Sequence, residues 1–182
     1  MKGIFFAPGF EEVEALTVVD ILRRAGKEVC MISVDNTDTV TGSHGIEVKM
    51  DARLSEVDFD RLDTIILPGG APGFKNLERC ALIKEKTVSF AKDEKKTVAA
   101  ICGAPSVLGH WDVLVGHKAC VYPGMESELK GAEVLYDSAV ISDNIITSRG
   151  MGTAIDFGLA IVAYEDGNAA ADSLAQKIVY KR

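Results

Sequence analysis

Short apolar runs alternate along the chain with longer segments whose apolar positions recur every three or four residues. The runs predict buried strands over residues 3–7, 28–34, 63–67 and 98–101. The longer segments predict helices over 11–25, 77–92, 154–164 and 169–179. Alternation of this kind is typical of an α/β fold with a mostly parallel central sheet and helices on both faces.

The remaining segments predict smaller elements. A glycine-containing stretch over 40–50 predicts an antiparallel ribbon, and short strands are predicted over 118–121, 132–136, 139–142 and 145–147. The chain shows no internal repeat, low-complexity tract or linker, and its 182 residues suffice for one sizeable core. We therefore expect a single domain over residues 1–182.

Cys102 directly follows one of the predicted strands. Gly103, Pro105 and then small apolar residues come next, and these predict the start of a helix. A strand that turns sharply into a helix presents the turn residue at the carboxyl edge of the sheet, where open α/β sheets bind ligands. This is the geometry of a nucleophile elbow. Cys102 is therefore a candidate nucleophile, and the alternative is that it is a small buried apolar residue, as most free cysteines are.

Glu14 occupies an unexpected position in the predicted helix over 11–25. Its helical face continues through apolar residues, namely Val18, Ile21, Leu22 and Ala25. A buried carboxylate is costly unless it is protonated or finds partners. Because this helix starts near the carboxyl edge of the sheet, Glu14 is a candidate partner of Cys102. The alternative is that the first turn overhangs the edge and Glu14 is solvated, as we expect for Glu11 and Glu12.

Energetic estimates favour a pairing of Glu14 with Cys102. Lowering a thiol pKa from about 8.5 to about 6 requires roughly 3 kcal/mol. A helix amino terminus supplies about 0.3–1 kcal/mol, and a hydrogen bond to the thiolate adds about 1.5–3 kcal/mol. An ionised Glu14 would raise the thiol pKa instead. We therefore expect Glu14 to be protonated when Cys102 is a thiolate, which makes Glu14 a candidate general acid and base.

Two further groups are candidates for binding. Gly69 and Gly70 follow a predicted strand, and their N–H groups, with that of Gly103, are suited to holding an oxyanion. The alternative for the two glycines is a tight turn that requires positive φ. Arg149 is a candidate for binding an anionic group, and equally for a surface or interface role.

Composition and charge argue against several classes of protein. The formal net charge is −7 and the basic residues do not cluster, so no nucleic-acid partner is expected. No segment reaches the roughly 18 apolar residues of a membrane span, and the apolar run after Met1 is too short for a signal peptide. We expect no membrane partner, a cytoplasmic location and free thiols at all four cysteines. The cysteines and histidines lack metal-binding spacing, so neither a metal nor a cofactor is expected.

Four segments together resemble the ThiJ/PfpI superfamily, which has the glutamine amidotransferase-like fold, and its DJ-like branch in particular. They occur in the family's order and read Gly9-Phe10-Glu11-Glu12-Val13-Glu14, Leu67-Pro68-Gly69-Gly70, Ala99-Ala100-Ile101-Cys102-Gly103-Ala104-Pro105 and Thr147-Ser148-Arg149-Gly150-Met151-Gly152-Thr153. The resemblance implies a flavodoxin-like, Rossmann-like sandwich that forms a homodimer. It also implies a reactive Cys102 thiolate, readily oxidised to sulfinic acid, bonded to a protonated Glu14, with Gly70 and Gly103 as backbone donors.

The resemblance implies three kinds of activity: cofactor-free conversion of methylglyoxal to lactate (glyoxalase III), deglycation, and redox-regulated chaperoning. The chain departs from the family at Tyr122, before Pro123, where many active members have a histidine. A tyrosine has an ordinary pKa near 10 and is a poor proton shuttle at neutral pH. The resemblance disfavours peptidase and amidotransferase activities. The peptidase branch has a histidine directly after the cysteine, where this chain has Gly103, and the amidotransferases have His-x-Glu where residues 148–150 read Ser-Arg-Gly. Two hypotheses stay open: an enzyme acting on small 2-oxoaldehydes, or a non-catalytic sensor of oxidative stress.

Overall fold

The computed structural model describes residues 1–181. Its strands are β1 (Lys2–Phe6), β2 (Val29–Ser33), β3 (Thr39–Thr41), β4 (Glu47–Lys49), β5 (Ala52–Arg53), β6 (Thr64–Leu67), β7 (Thr97–Ile101), β8 (Lys118–Ala119), β9 (Glu133–Val134), β10 (Ala139–Ser142) and β11 (Ile145–Ser148). Its α-helices are α1 (Glu12–Arg24), α2 (Gly73–Arg79), α3 (Ala81–Ala91), α4 (Ala104–His110), α5 (Ala154–Asp166) and α6 (Asn168–Lys177).

Seven strands form the central sheet in the order β10-β11-β7-β6-β1-β2-β5. All neighbouring pairs are parallel except β10 with β11, which is antiparallel. The carboxyl ends of β1, β6, β7 and β11 therefore meet at one edge. The segments that follow these four strands carry most of the residues singled out by the sequence, namely Glu14, Gly69, Gly70, Cys102, Gly103 and Arg149.

Helices cover both faces of the sheet because successive strand residues point to opposite sides. Phe6 packs in one core cluster with apolar residues of α1, α5 and α6. Phe5 packs in the other cluster with apolar residues of α2, α3 and α4. Both side chains are fully buried. The predicted mostly parallel sheet with helices on both faces is confirmed.

Two details differ from the sequence-based expectations. The helix predicted over 77–92 is two helices, α2 and α3, separated at Cys80, whose backbone is extended (φ −81°, ψ 104°). Leu77 of α2 and Ile83 of α3 lie on either side of this break, and both are buried. Each helix therefore packs an apolar side chain of its own into the core. The two-residue strand β5 was not predicted. The ribbon predicted over 40–50 is confirmed as the antiparallel pair β3 and β4.

Two other expectations are tested by the described residues. All four cysteines are free thiols, as predicted. Within residues 1–181, no helix is both long enough and apolar enough to cross a membrane.

Candidate active site

Cys102 lies in a sharp turn between β7 and α4. Its φ is +64°, in the left-handed region that a residue with a Cβ enters at a cost of about 1–2 kcal/mol. The backbone is held on both sides, since the Cys102 N–H donates to Ser148 O at 3.0 Å and its carbonyl accepts from Tyr122 N–H at 2.9 Å. The predicted nucleophile elbow is present. Cys102 is partly buried rather than sealed within the core.

Glu14 lies at the start of α1 with 1% of its surface exposed. Its carboxylate oxygen Oε2 accepts from the Gly69 N–H at 3.0 Å. The carboxyl group also hydrogen-bonds the Cys102 thiol and accepts from the Met151 N–H. The structure thus brings Glu14 and Cys102 together, and the alternative of a solvated Glu14 is wrong.

The three glycines surround the sulfur in different ways. The N–H groups of Gly70 and Gly103 both hydrogen-bond Cys102. Gly70 has φ +91°, so the tight turn considered for this dipeptide is present as well. Gly69 leaves no room for a side chain, because a Cβ there would lie 2.5 Å from the Cβ of Cys102 and 3.0 Å from its sulfur. The backbone of Gly69 therefore packs directly against the Cys102 side chain.

The Glu14 and Cys102 pair binds protons unusually tightly. Burial, with a smaller contribution from the charge of Glu11, raises the pKa of Glu14 to about 7, and the hydrogen bonds that the carboxyl accepts only partly oppose this rise. Burial and then the charge of Glu14 raise the pKa of the Cys102 thiol to about 12, against the hydrogen bonds from Gly70 and Gly103.

This direction is opposite to the low thiol pKa that the resemblance implies, and its causes are burial of the thiol first and the charge on Glu14 second. Once Glu14 holds a proton, that charge is gone and the carboxyl becomes a donor to sulfur. The two N–H groups that face Cys102 then favour the thiolate. The reactive form of this site is therefore the one in which the shared proton lies on Glu14.

Tyr122 and Arg149 lie at the rim of this arrangement. A methyl group built on Gly150 would lie 3.5 Å from the Tyr122 ring and 3.8 Å from Oε1 of Glu14. The Tyr122 ring and the Glu14 carboxyl thus both border Gly150, and 51% of the surface of Tyr122 is exposed. Arg149 instead donates to the Tyr136 carbonyl at 3.2 Å, and its guanidinium carbon lies 5.9 Å from the centre of the Tyr136 ring.

Glu12, two residues before Glu14, is buried, and the prediction that it lies in solvent is wrong. It was expected in solvent at the helix start, but only 3% of its surface is exposed. Its carboxylate accepts from the His44 N–H at 2.7 Å, and its Oε2 lies 3.0 Å from the His44 Nδ1. Burial alone would raise the pKa of Glu12, but the hydrogen bonds from His44 and from the Ile46 N–H lower it to about 2. No signal in the sequence links residue 12 to residue 44.

The other two histidines lie elsewhere. The ring nitrogens of His110 are 2.6 Å from Glu78 Oε1 and 2.9 Å from Glu128 Oε2, and these two carboxylates raise its pKa against its partial burial. His117 Nδ1 lies 3.2 Å from Asp143. Within residues 1–181, the hydrogen bonds and ion pairs of both histidines go to groups other than Cys102 and Glu14.

Comparison with known proteins identifies the family. The model of the DJ-1/PfpI family matches residues 3–164, which is most of the chain. The chain belongs to the DJ-1/PfpI family. Among solved structures, the oxidized DJ-1 of Toxoplasma gondii superposes with a TM-score of 0.94 at 32% identity, covering 99% of this chain and 98% of that one. This likeness confirms the flavodoxin-like sandwich and the DJ-like branch.

Three relatives illustrate the range of the family. DJ-1 homolog B of Arabidopsis thaliana is 39% identical over 86% of this chain, which spans only 36% of that protein. A glutathione-independent glyoxalase of Caenorhabditis elegans is 33% identical over 92% of this chain and 89% of its own length. A deglycase of Pyrococcus horikoshii is 38% identical over 82% of this chain and 90% of its own length.

Proposed function

We propose that this DJ-like protein converts small 2-oxoaldehydes such as methylglyoxal into 2-hydroxy acids without a cofactor. The observation that carries the proposal is the buried Glu14 carboxyl hydrogen-bonded to the Cys102 thiol at a strained elbow. The similarity to a glyoxalase and to a deglycase supports a small carbonyl compound as substrate. Cys102 is the nucleophile and Glu14 the general acid and base.

The first step is attack of the Cys102 sulfur on the aldehyde carbon. The thiol proton passes to Glu14, whose pKa of about 7 suits proton transfer at neutral pH. The C=O double bond becomes a single bond to an oxyanion, and a carbon–sulfur bond forms. The N–H groups of Gly70 and Gly103, which already face the sulfur, stabilise the negative charge during this step. Glu14 then returns the proton to the oxyanion, which completes a hemithioacetal and leaves Glu14 ionised.

The second step moves a proton between two carbon atoms. Glu14 in its ionised form removes the proton from the carbon bonded to sulfur, giving an enediol, and a proton then returns at the neighbouring carbon. The product is a thioester of the hydroxy acid. Water hydrolyses it to the free acid and regenerates the thiol, so that one aldehyde and one water give one hydroxy acid. No external oxidant or reductant takes part.

The enzymatic proposal is tested by lactate formation from methylglyoxal in the absence of glutathione, measured by NMR. Wild type and a matched Cys30→Ser variant should form lactate, because Cys30 lies on β2 away from the elbow. Cys102→Ser and Glu14→Gln should reduce the rate to that of buffer, since each removes one reacting group. Lactate formation that persists in Cys102→Ser would refute the mechanism.

A second function rests on the same thiol. Two N–H groups and a carboxyl surround a partly exposed sulfur, and the same groups suit a sulfinate. We infer as the alternative an oxidative-stress sensor or redox-regulated chaperone in which two equivalents of peroxide convert the thiol to sulfinate and release two waters. Peptide mass spectra after limited peroxide should then show Cys102 oxidised before the other three cysteines. Equal oxidation of all four thiols would exclude this function.

We also infer that the chain forms a homodimer in the cytoplasm. A groove of about 600 Å³ lies between α1, the start of α5 and the end of α6, away from Cys102. Apolar side chains line it, among them Leu16, Ile155 and Val179, and 91% of the surface of Val179 is exposed. Burial of this groove by a second copy would remove that apolar surface from water. Light scattering should show a dimer that Val179→Glu converts to a monomer, while an unchanged dimer would place the interface elsewhere.

A further inference from the structure

The Glu12 carboxylate joins two parts of the chain that are far apart in sequence. Its hydrogen bonds reach the tip of the β3–β4 hairpin, residues 42–46, where it accepts from the His44 N–H, from Ser43 Oγ at 3.3 Å and from the Ile46 N–H at 3.4 Å. A Cβ on Gly42 would lie 2.4 Å from the carboxyl carbon. The backbone of the tip therefore closes directly onto Glu12. We call this set of contacts the Glu12 latch.

The latched hairpin continues into the loop between β1 and α1. The Gly9 N–H donates to Thr41 O at 2.9 Å, and the Ser43 N–H donates to Phe10 O at 2.8 Å. These two bonds fix the backbone just before the helix that carries Glu14. The hairpin thus forms the outer layer of the loop that leads to the site.

The same loop forms the inner layer next to the thiol. The Glu11 N–H donates to Gly69 O at 3.0 Å, and a Cβ on Gly70 would lie 2.2 Å from Glu11 N. Gly69 in turn donates to Glu14, and Gly70 donates to Cys102. Two layers of backbone hydrogen bonds therefore connect the hairpin to the reacting sulfur.

We propose that Glu12 is a positioning residue for the Cys102 site, because its latch on the hairpin tip holds the 9–11 backbone against the glycines that face the thiol. The importance of this role for catalysis rests on the proposed function. The effect of Glu12 on the reactivity of Cys102 can be measured without it. Without the latch, the hairpin tip loses its buried acceptor and the N–H of His44 loses its partner. The first turn of α1 then loosens, and Glu14 gains access to water.

The test is the rate of alkylation of each cysteine by iodoacetamide over a pH series, read by peptide mass spectrometry. Cys80, between α2 and α3, is the internal reference for intact folding. In Glu12→Ala, the rate at Cys102 relative to Cys80 should fall about tenfold or more, as for a displaced reacting group. The inflection caused by Glu14 should move from about 7 toward its ordinary 4.5. A merely destabilised protein would show neither selective change.

Three further variants complete the design. Glu12→Gln keeps an acceptor oxygen and should retain most of the Cys102 rate, and Glu47→Ala, on the exposed side of β4, should behave as wild type. Gly42→Ala lifts the tip without altering Glu12 and should reproduce Glu12→Ala, which keeps the test valid if Glu12→Ala does not fold.

A wild-type rate and pH profile at Cys102 in both Glu12→Ala and Gly42→Ala would overturn the proposal. Absence of lactate formation in wild type would refute the proposed function, but it would not affect the conclusion that Glu12 controls the alkylation of Cys102.

Discussion

Replacing Glu14 with glutamine should remove part of the pH dependence of the free energy of unfolding. In the unfolded chain Glu14 releases its proton near its ordinary pKa of 4.5, whereas burial delays release in the folded protein to about 7. Between these values the folded state binds one more proton than the unfolded state, so the free energy of unfolding falls as the pH rises. At about 1.4 kcal/mol per pH unit, the folded wild type loses about 3 kcal/mol across this window. A glutamine side chain does not titrate, so the Glu14→Gln variant is spared this loss.

Urea denaturation at a series of pH values measures the effect through the extrapolated free energy of unfolding. The stability of Glu14→Gln minus that of wild type should rise by about 3 kcal/mol between about pH 4 and pH 8. Glu12→Gln is the matched control two residues away, because the pKa of Glu12 is lowered to about 2. Its loss of stability should be constant above pH 4.5 and shrink only as the pH falls toward 2. A constant difference for Glu14→Gln from pH 4.5 to 7 would refute the assignment of the raised pKa.

Three other substitutions give separate tests. Gly69→Ala should destabilise the fold by about 1–3 kcal/mol in urea titrations and suppress alkylation of Cys102, because the new methyl group overlaps the thiol. Tyr122→His should increase lactate formation near neutral pH in enzyme assays, because an imidazole shuttles protons there and a phenol does not. His110→Gln should lose most stability below the ordinary histidine pKa of 6.5, and this loss should vanish as the pH rises through the raised pKa of His110, as followed by thermal unfolding.

Local patterns in the sequence were sufficient to single out Cys102 and Glu14 as candidates, and the structure places the two side chains together. Cys102 was identifiable because an apolar strand, a glycine and a helix start follow one another without interruption. Glu14 was identifiable because it interrupts an apolar helical face. Both signals are local: the one for Cys102 lies in one strand and the turn after it, and the one for Glu14 lies within one helix.

The features that were missed depend on contacts between distant segments. Glu12 looks like any acid in a first helical turn, and its burial requires the hairpin that carries His44. The break at Cys80 contains neither glycine nor proline, and it follows from the packing of Leu77 and Ile83 on the sheet. The proton affinity of Cys102 depends on the distance to a carboxyl 88 positions earlier in the chain. A single sequence contains no direct record of such distances.

The two edges of the central sheet have a consequence for association between molecules. The unpaired side of an edge strand is a template on which another chain can add a strand. At one edge β5 has only two residues, and at the other β10 has only four. Neither edge strand therefore offers a long row of open backbone groups. Aggregation by strand addition should therefore require prior opening of the fold, and its rate should follow the population of unfolded molecules.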